Sequence, residues 1–337
     1  MEPLNLDLIS RQKQFERNTK LQEIFTPHAQ RRRNKFFQES GTDSLRFVHY
    51  TSADAALKII KSKRLWMRSS ACMSDYQEVQ HGFAHLHQSL ADPARLSAFK
   101  EALDSVVPGA AEKAINDFNH WLRTGTIQFK TFILSISEHK KSEDFHGRLS
   151  MWRAFGGNSA RVAMVFNVPK TSVGADAMKI FFSPVTYLEN NGTDSLIAPV
   201  IENVRNELAF LKSLPPQEVA NWLFSMLLVN VTCVKHIGFH EEQEWRVVHC
   251  PELYPTNLIQ SSTETIGGIP QIVCHLPLDK TVDPCLADLE FSTLFDRLII
   301  GPSPYPITMI DAYAGALSQA GVPNARTKVF ASGIPIR

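Results

Sequence analysis

Apolar residues along the chain follow two periods, the two-residue period of strands and the 3.6-residue period of helices. The run Thr131–Ser137 alternates apolar and polar positions and predicts a half-buried strand. Further strands are predicted at residues 46–50, 65–68, 161–168, 180–187, 245–248, 297–300 and 327–331. Helices are predicted at residues 6–25, 53–62, 77–90, 94–123, 201–214, 216–229 and 307–320, and Ser52 is the expected N-cap of the second. This irregular interleaving favours an α+β fold over a doubly wound sheet.

These elements suggest an N-terminal helical arm, residues 1–44, followed by one α+β domain, residues 45–337, with helical insertions near 77–124 and 201–229. The arm carries a basic cluster, namely Arg31, Arg32, Arg33 and Lys35. Such a cluster can contact the phosphates of nucleic acid or a partner protein. Such a cluster is more often a solvated helix face or a dimer contact, and both interpretations stay open.

Composition narrows the function classes. With 337 residues and a formal net charge of +1, the chain can bury a large core and gives no global electrostatic argument for nucleic acid or membranes. Its five cysteines are scattered, which favours a reducing compartment over a disulfide framework or a structural zinc site. The N-terminus does not resemble a signal peptide, and the longest apolar run, residues 222–234, is too short to span a bilayer. We therefore expect a cytoplasmic protein.

The segment Gly238–Val248 places Glu241, Glu242 and Glu244 immediately before a predicted strand. Alternate side chains of an extended backbone share a face, so Glu242 and Glu244 are expected to point the same way, about 6–7 Å apart. One carboxyl of such a pair retains its proton near neutral pH unless cations compensate. Paired carboxylates can stabilise a developing positive charge or divide acid and base roles. A solvated strand end is the alternative.

Two pairs of histidines have the spacing of a helical metal site. His81 and His85 lie four residues apart, as do His236 and His240, and imidazoles so placed can chelate zinc. No glutamate follows His81 in the manner of zinc-dependent proteases, and surface histidines are common. No metal is therefore assigned.

Several short motifs, taken in their order along the chain, resemble a microbial family called domain of unknown function 2971. They are Phe47-Val48-His49-Tyr50-Thr51, Leu65-Trp66, Met73-Ser74-Asp75-Tyr76-Gln77-Glu78, Leu134-Ser135-Ile136-Ser137-Glu138, Met151-Trp152 with Gly156-Gly157, Glu242-Gln243-Glu244-Trp245-Arg246, Ile299-Ile300-Gly301-Pro302 and Ser332-Gly333-Ile334-Pro335-Ile336-Arg337. The resemblance covers about residues 45–337. The family more usually has Asn-Asp-Pro before the acidic residue of the third motif, so no role is assigned to Asp75.

A looser resemblance is to the ADP-ribosyltransferases, which carry a His, a Ser-x-Ser and a Glu-x-Glu on three successive signature strands. It implies a split, mostly antiparallel sheet and NAD as substrate. Glu244 would then bind a ribose hydroxyl and stabilise the oxocarbenium-like transition state, while Glu242 would orient or deprotonate the acceptor. His49 would hydrogen-bond the other ribose.

The same resemblance implies an NAD-binding set around these residues. The backbone of Tyr50, beside Thr51, would hold the nicotinamide amide. Ser135 or Ser137 would brace Glu244, and Trp66 or Trp152 would stack on a flat ring. Arg246 would offset the charge of the carboxylates or bind the pyrophosphate. A core role for either tryptophan remains an alternative.

The function that this resemblance implies is transfer of ADP-ribose from NAD to a nucleic acid or protein, as in toxins and antiviral defence enzymes. Water as the acceptor would instead give an NAD glycohydrolase. A third hypothesis is a non-catalytic binding module that uses the basic arm. Fold analogy alone does not decide among them.

Overall fold

The computed structural model describes residues 2–41, 44–72, 76–154, 160–189 and 194–335. The chain divides into two compact units. Unit 1 comprises Met1–Glu39, Ser74–Phe129 and Ser183–Gly238, and unit 2 comprises Ser40–Met73, Lys130–Phe182 and Phe239–Arg337. Residues 1–39 of the expected arm and both helical insertions therefore fall in one compact unit. Three pieces of the family motifs lie outside the described residues, namely Met73-Ser74-Asp75, Gly156-Gly157 and Ile336-Arg337.

Unit 1 is built mainly from helices. They are α1 (Glu2–Phe25), α2 (Pro27–Ser40), α4 (Tyr76–Ala91), α5 (Pro93–Asp104), α6 (Ala110–Arg123), α7 (Thr126–Phe129), α10 (Asp194–Asn206), α11 (Leu208–Lys212) and α12 (Pro216–Thr232), joined by the parallel strands β6 (Thr186–Leu188) and β7 (Val234–His236). Helix α1 is docked rather than free. Arg17 Nε donates to Glu218 of α12 at 2.8 Å, and Asn203 of α10 donates to the carbonyl of Glu23 at 2.9 Å.

Unit 2 is built around a sheet. Its strands are β1 (Ser44–Ser52), β2 (Arg64–Ser69), β3 (Phe132–Glu138), β4 (Arg161–Pro169), β8 (Glu244–His249), β9 (Gln260–Ile266), β10 (Ile269–Pro277), β11 (Phe295–Ile300) and β12 (Val329–Ala331), and β5 (Phe181–Pro184) crosses the boundary between the units. Their order is β12-β11-β4-β1-β3-β2-β10-β9, and β8 pairs with β3 off this path. The pairs along this path and the β3–β8 pair are antiparallel, except the parallel pair β11–β12. The expected α+β fold with a mostly antiparallel sheet is confirmed.

The helices of unit 2 are α3 (Ala53–Ser62), α8 (Leu149–Ala154), α9 (Val173–Ala177), α13 (Phe291–Leu294) and α14 (Pro306–Gln319). Helix α3 begins where the sequence predicts it. The Ser52 hydroxyl accepts a hydrogen bond from the Ala55 N–H at 3.2 Å, which satisfies one of the unpaired donors of the first turn. The helix ends at Lys63, whose φ of 52° is left-handed.

Three long predicted elements are broken in the structure. The helix predicted over residues 94–123 separates into α5 and α6, because Pro108 interrupts it and Gly109 has a φ of 75°. The strand predicted over 180–187 separates into β5 and β6, and the helix over 201–214 into α10 and α11. The β9–β10 hairpin was not predicted, since most of β9 is exposed and lacks an apolar alternation.

Each helix in the described part of the chain is too short or too polar to cross a bilayer.

Candidate functional site

One face of the sheet in unit 2 collects most of the residues that the sequence singles out. Ser137 lies directly opposite Glu244, and Ser135 opposite Arg246, on the antiparallel strands β3 and β8. Opposed residues of such a pair share a face, and Val48 opposite Ser137 places Tyr50 on it by alternation. We call it the site face. It is defined by Tyr50, Trp66, Ser135, Ser137, Glu244 and Arg246.

His49 and Thr51 alternate onto the opposite face of β1. The ladder between β1 and β3 ends at Val48 opposite Ser137, and the ladder between β2 and β3 ends at Arg68 opposite Ile133. The sheet is therefore interrupted on this side of β3 around Ser135. The His49 imidazole lies at that interruption, with Nδ1 3.1 Å from the Ser135 carbonyl oxygen.

This hydrogen bond fixes the chemistry of His49. A carbonyl oxygen only accepts, so Nδ1 carries the proton and Nε2 presents its lone pair. Burial lowers the pKa of the half-buried ring, which the bond to Ser135 only partly opposes. His49 is thus a neutral acceptor at neutral pH, suited to a ligand hydroxyl or to a general-base role.

Glu244 and Arg246 form a buried ion pair on the site face. The two carboxylate-to-guanidinium contacts are 2.8 and 3.4 Å, and the residues are only 3% and 1% exposed. The predicted compensating cation for the carboxylate is thus Arg246. The guanidinium of Arg246 is closed to solvent, so binding a pyrophosphate through it would need the same exposure that Glu244 needs.

The expectation that Glu242 and Glu244 share a strand face is wrong. Residues Ile237–Glu242 form a 3₁₀ helix, and Gln243 has a φ of 45°. This left-handed residue interrupts the alternation, which begins only at Glu244. Glu242 is half-buried and precedes the strand rather than extending it.

Arg148 holds the junction between the 3₁₀ helix and β8, and the sequence analysis did not single it out. Its guanidinium donates to the carbonyls of Glu241, Glu242 and Glu138, each at 2.8 Å, and to Glu143 at 2.8 Å. A rigid planar fork suits several acceptors at once, so one side chain holds both the turn before β8 and the end of β3. The only sequence signal is an arginine directly before the Leu-Ser-Met-Trp motif.

Tyr50 and Trp152 pack together beside the site. Their rings lie 4.9 Å apart, edge to face, in a buried cluster with Met151 and Val165. The Tyr50 hydroxyl accepts from the Arg148 N–H at 2.7 Å, and burial raises the pKa of Tyr50 to about 12. The Trp152 indole donates to the His146 carbonyl at 2.7 Å. Trp152 therefore has a core environment.

Trp66 and Ser135 each have a group that a ligand could contact. The Trp66 ring is half-buried, with the His275 ring at 5.9 Å and the Lys58 ammonium at 5.3 Å, so part of it remains open to a stacking partner. The Ser135 hydroxyl is buried and has no hydrogen-bond partner among the described residues. An unpartnered buried hydroxyl is uncommon and is consistent with a ligand or water at this position.

The basic cluster of the arm is only partly available to a partner. Arg32 donates to the Val185 carbonyl at 2.7 Å within unit 1, and burial lowers the pKa of Arg33 to about 10. Arg31 and Lys35 are exposed. Two of the four cations thus project into solvent, while Arg32 is tied to the protein itself.

The histidine pairs do not form a metal centre. In unit 1 the His81 ring lies 4.3 Å from that of His85 and 6.1 Å from that of His236. Across the part of the chain that the structure describes, no group of three or more potential ligands is arranged to hold a metal ion. The zinc alternative therefore has no ligand set there.

One segment of the chain matches a known family. Residues 151–247 match the family described as protein of unknown function DUF2971. The matched segment includes α8, β4 and β8 as far as Val247, hence Trp152, Glu244 and Arg246, but not β1 or β3. No curated protein matches the chain, and no solved structure does.

Proposed function

We propose that the protein cleaves NAD at the site face and transfers ADP-ribose to a nucleic acid or protein acceptor, as a toxin-like or antiviral effector in the cytoplasm. The observation that carries the proposal is the common face of Tyr50, Ser137 and Glu244, beside the sheet interruption that holds His49. This arrangement of residues on β1, β3 and β8 resembles the signature positions of ADP-ribosyltransferases.

In the proposed reaction the bond from C1′ of the ribose to the nicotinamide nitrogen breaks, and nicotinamide leaves with the electron pair. The ribose gains oxocarbenium character, which a carboxylate at Glu244 would stabilise. An acceptor oxygen or nitrogen then bonds to C1′ and loses its proton, for which Glu242 would be the base. If water is the acceptor, the same steps make a glycohydrolase.

Burial sets a condition on this proposal. The Glu244 carboxylate is nearly inaccessible and paired with Arg246, so it must become exposed before NAD can reach it. The same burial favours a second candidate, a non-catalytic module that binds an anionic partner through Arg31 and Lys35. That module would show a steep salt dependence of binding.

The test is NAD consumption by the full chain with a cell lysate as acceptor, using Glu244→Gln and the matched exposed control Glu241→Gln. Because Glu244→Gln leaves Arg246 buried without its carboxylate, thermal melts must accompany the assay. Nicotinamide release with a labelled macromolecule, lost only in folded Glu244→Gln, supports the transferase. Release without label supports the glycohydrolase.

Absence of NAD turnover in the wild type would refute both catalytic forms. Charge reversal at Arg31 and Lys35 then tests the binding module, with loss of partner binding as the expected result.

A further inference from the structure

We infer that Arg161 is the diphosphate-binding residue of the site face; this inference rests on the proposed function, because it names how the site would hold NAD. NAD carries two linked phosphates, and their recognition calls for an accessible guanidinium or ammonium. Arg246 is closed to solvent and already paired with Glu244, so the half-buried Arg161 is the more accessible arginine of this face.

Arg161 begins β4 at the edge of the same face. It lies opposite Ser52 in the β1–β4 ladder, two positions from the Tyr50–Ala163 pair, so its side chain alternates onto the site face. Its carbonyl accepts from the Gly301 N–H at 2.9 Å, and the preceding carbonyl of Ala160 accepts from the Ala53 N–H at 2.9 Å. The backbone is thus fixed on both sides.

The surroundings of Arg161 are tightly packed on one side. A Cβ atom at Gly301 would lie 3.0 Å from the Trp152 ring and 3.2 Å from the Arg161 carbonyl, so a side chain there would require these neighbours to shift. Ala53 is the first residue of α3, whose N-terminus adds positive potential beside the arginine. Arg161, Gly301 and Trp152 therefore form one corner of the site.

The guanidinium of Arg161 is half-buried and unpaired. Its Nε is buried without a hydrogen-bond partner, and no residue in the described ranges forms an ion pair with it. Desolvating a donor without a partner is costly, and an anionic ligand would remove that cost.

Four of the other partly or fully buried arginines of unit 2 have carboxylate partners, and the remaining two, Arg64 and Arg68, donate to the side-chain oxygens of Gln260 and Gln271. Arg46 contacts Asp144 at 2.7 Å and Asp296 at 2.6 Å. The remaining pairs are Arg148–Glu143 at 2.8 Å, Arg246–Glu244 at 2.8 Å and Arg297–Asp296 at 3.0 Å. Arg161 differs from these six in having no side-chain partner among the described residues, which fits a residue kept for an external anion.

The chemistry of the expected ligand follows from the guanidinium fork. Two parallel N–H groups match two phosphate oxygens, so a diphosphate ester or free pyrophosphate should bind better than a nucleoside. A lysine offers a single point charge and should replace the arginine only in part.

Calorimetry on the full chain tests this with ADP, inorganic pyrophosphate and adenosine as probes. The variants are Arg161→Gln, Arg161→Lys and the matched control Arg153→Gln, which changes an exposed arginine of the neighbouring α8. We expect Arg161→Gln to weaken ADP binding about 10- to 100-fold, with adenosine unaffected, Arg153→Gln near wild type and Arg161→Lys in between. Melting curves establish that each variant is folded.

Equal weakening by Arg161→Gln and Arg153→Gln, unchanged ADP affinity, or no binding of ADP and pyrophosphate to the wild type would each overturn the inference. Tight pyrophosphate but weak ADP binding would assign the site to the free anion and overturn its role for NAD. NAD turnover with an unchanged KM in Arg161→Gln would overturn the inference while the proposed function survived. ADP binding that depends on Arg161, without NAD turnover, would overturn the proposed function while the assignment of Arg161 to a diphosphate survived.

Discussion

Buried polar groups on the two faces of the β3–β8 ladder have different partners. On the site face, the carboxylate of Glu244 is neutralised by a full cation, Arg246, at 2.8 Å. On the opposite face, the carboxylate of Glu138 accepts the neutral indole N–H of Trp245 at 2.8 Å, and the His249 Nδ1 has no partner among the described residues. A buried ion pair rarely improves stability over an apolar pair. The site face therefore carries a pair that packing alone does not favour.

The largest expected effect comes from breaking the ion pair. Arg246→Met leaves the Glu244 carboxylate buried without its cation and should lower the free energy of unfolding by about 3–5 kcal/mol. The double variant Glu244→Gln/Arg246→Met should recover much of that loss, because neither charge remains. Chemical denaturation measures both, with the exposed Arg153→Met as control. A loss under about 1 kcal/mol would show that the pair is not effectively buried.

An effect of intermediate size is expected when acid protonates His249 on the opposite face. Burial lowers the pKa of His249 from 6.5 to about 4, so the folded state binds fewer protons than the unfolded state between these values. The free energy of unfolding should therefore fall as the pH drops from 6.5 to 4, by about 3 kcal/mol from this residue.

His249→Leu should remove that part of the pH dependence, measured by urea unfolding at several pH values. The same substitution at the exposed His87 provides the control. An unaltered acid profile in His249→Leu would mean that the imidazole is not responsible.

The smallest effect is expected from removing the neutral indole N–H donor of Trp245. Trp245→Phe removes the indole N–H that faces Glu138 and should cost about 2 kcal/mol, since hydrogen bonds to charged groups contribute about 1.5–3 kcal/mol. Thermal and denaturant unfolding measure it against Trp121→Phe on α6. A cost above that of Arg246→Met would reverse the contrast between the two faces.

Short-range patterns accounted for much of the fold. The alternation of Thr131–Ser137 and the polar cap at Ser52 depend on neighbouring residues alone, and β3 and α3 form where these patterns predict them. The same period puts Glu244 and Arg246 on one face. Long predicted segments failed at Pro108 and Gly109, where backbone preferences overrode the apolar spacing.

The sequence by itself determined which residues alternate, cap and turn, because those properties are set within a few positions of the chain. Only the tertiary structure decided that Ser137 faces Glu244, that Arg246 is buried against it, that Arg148 holds the turn before β8 and that Arg161 has no ion-pair partner among the described residues. These facts depend on ladders between strands that are about a hundred residues apart and on solvent exclusion around them, and neither leaves a local pattern.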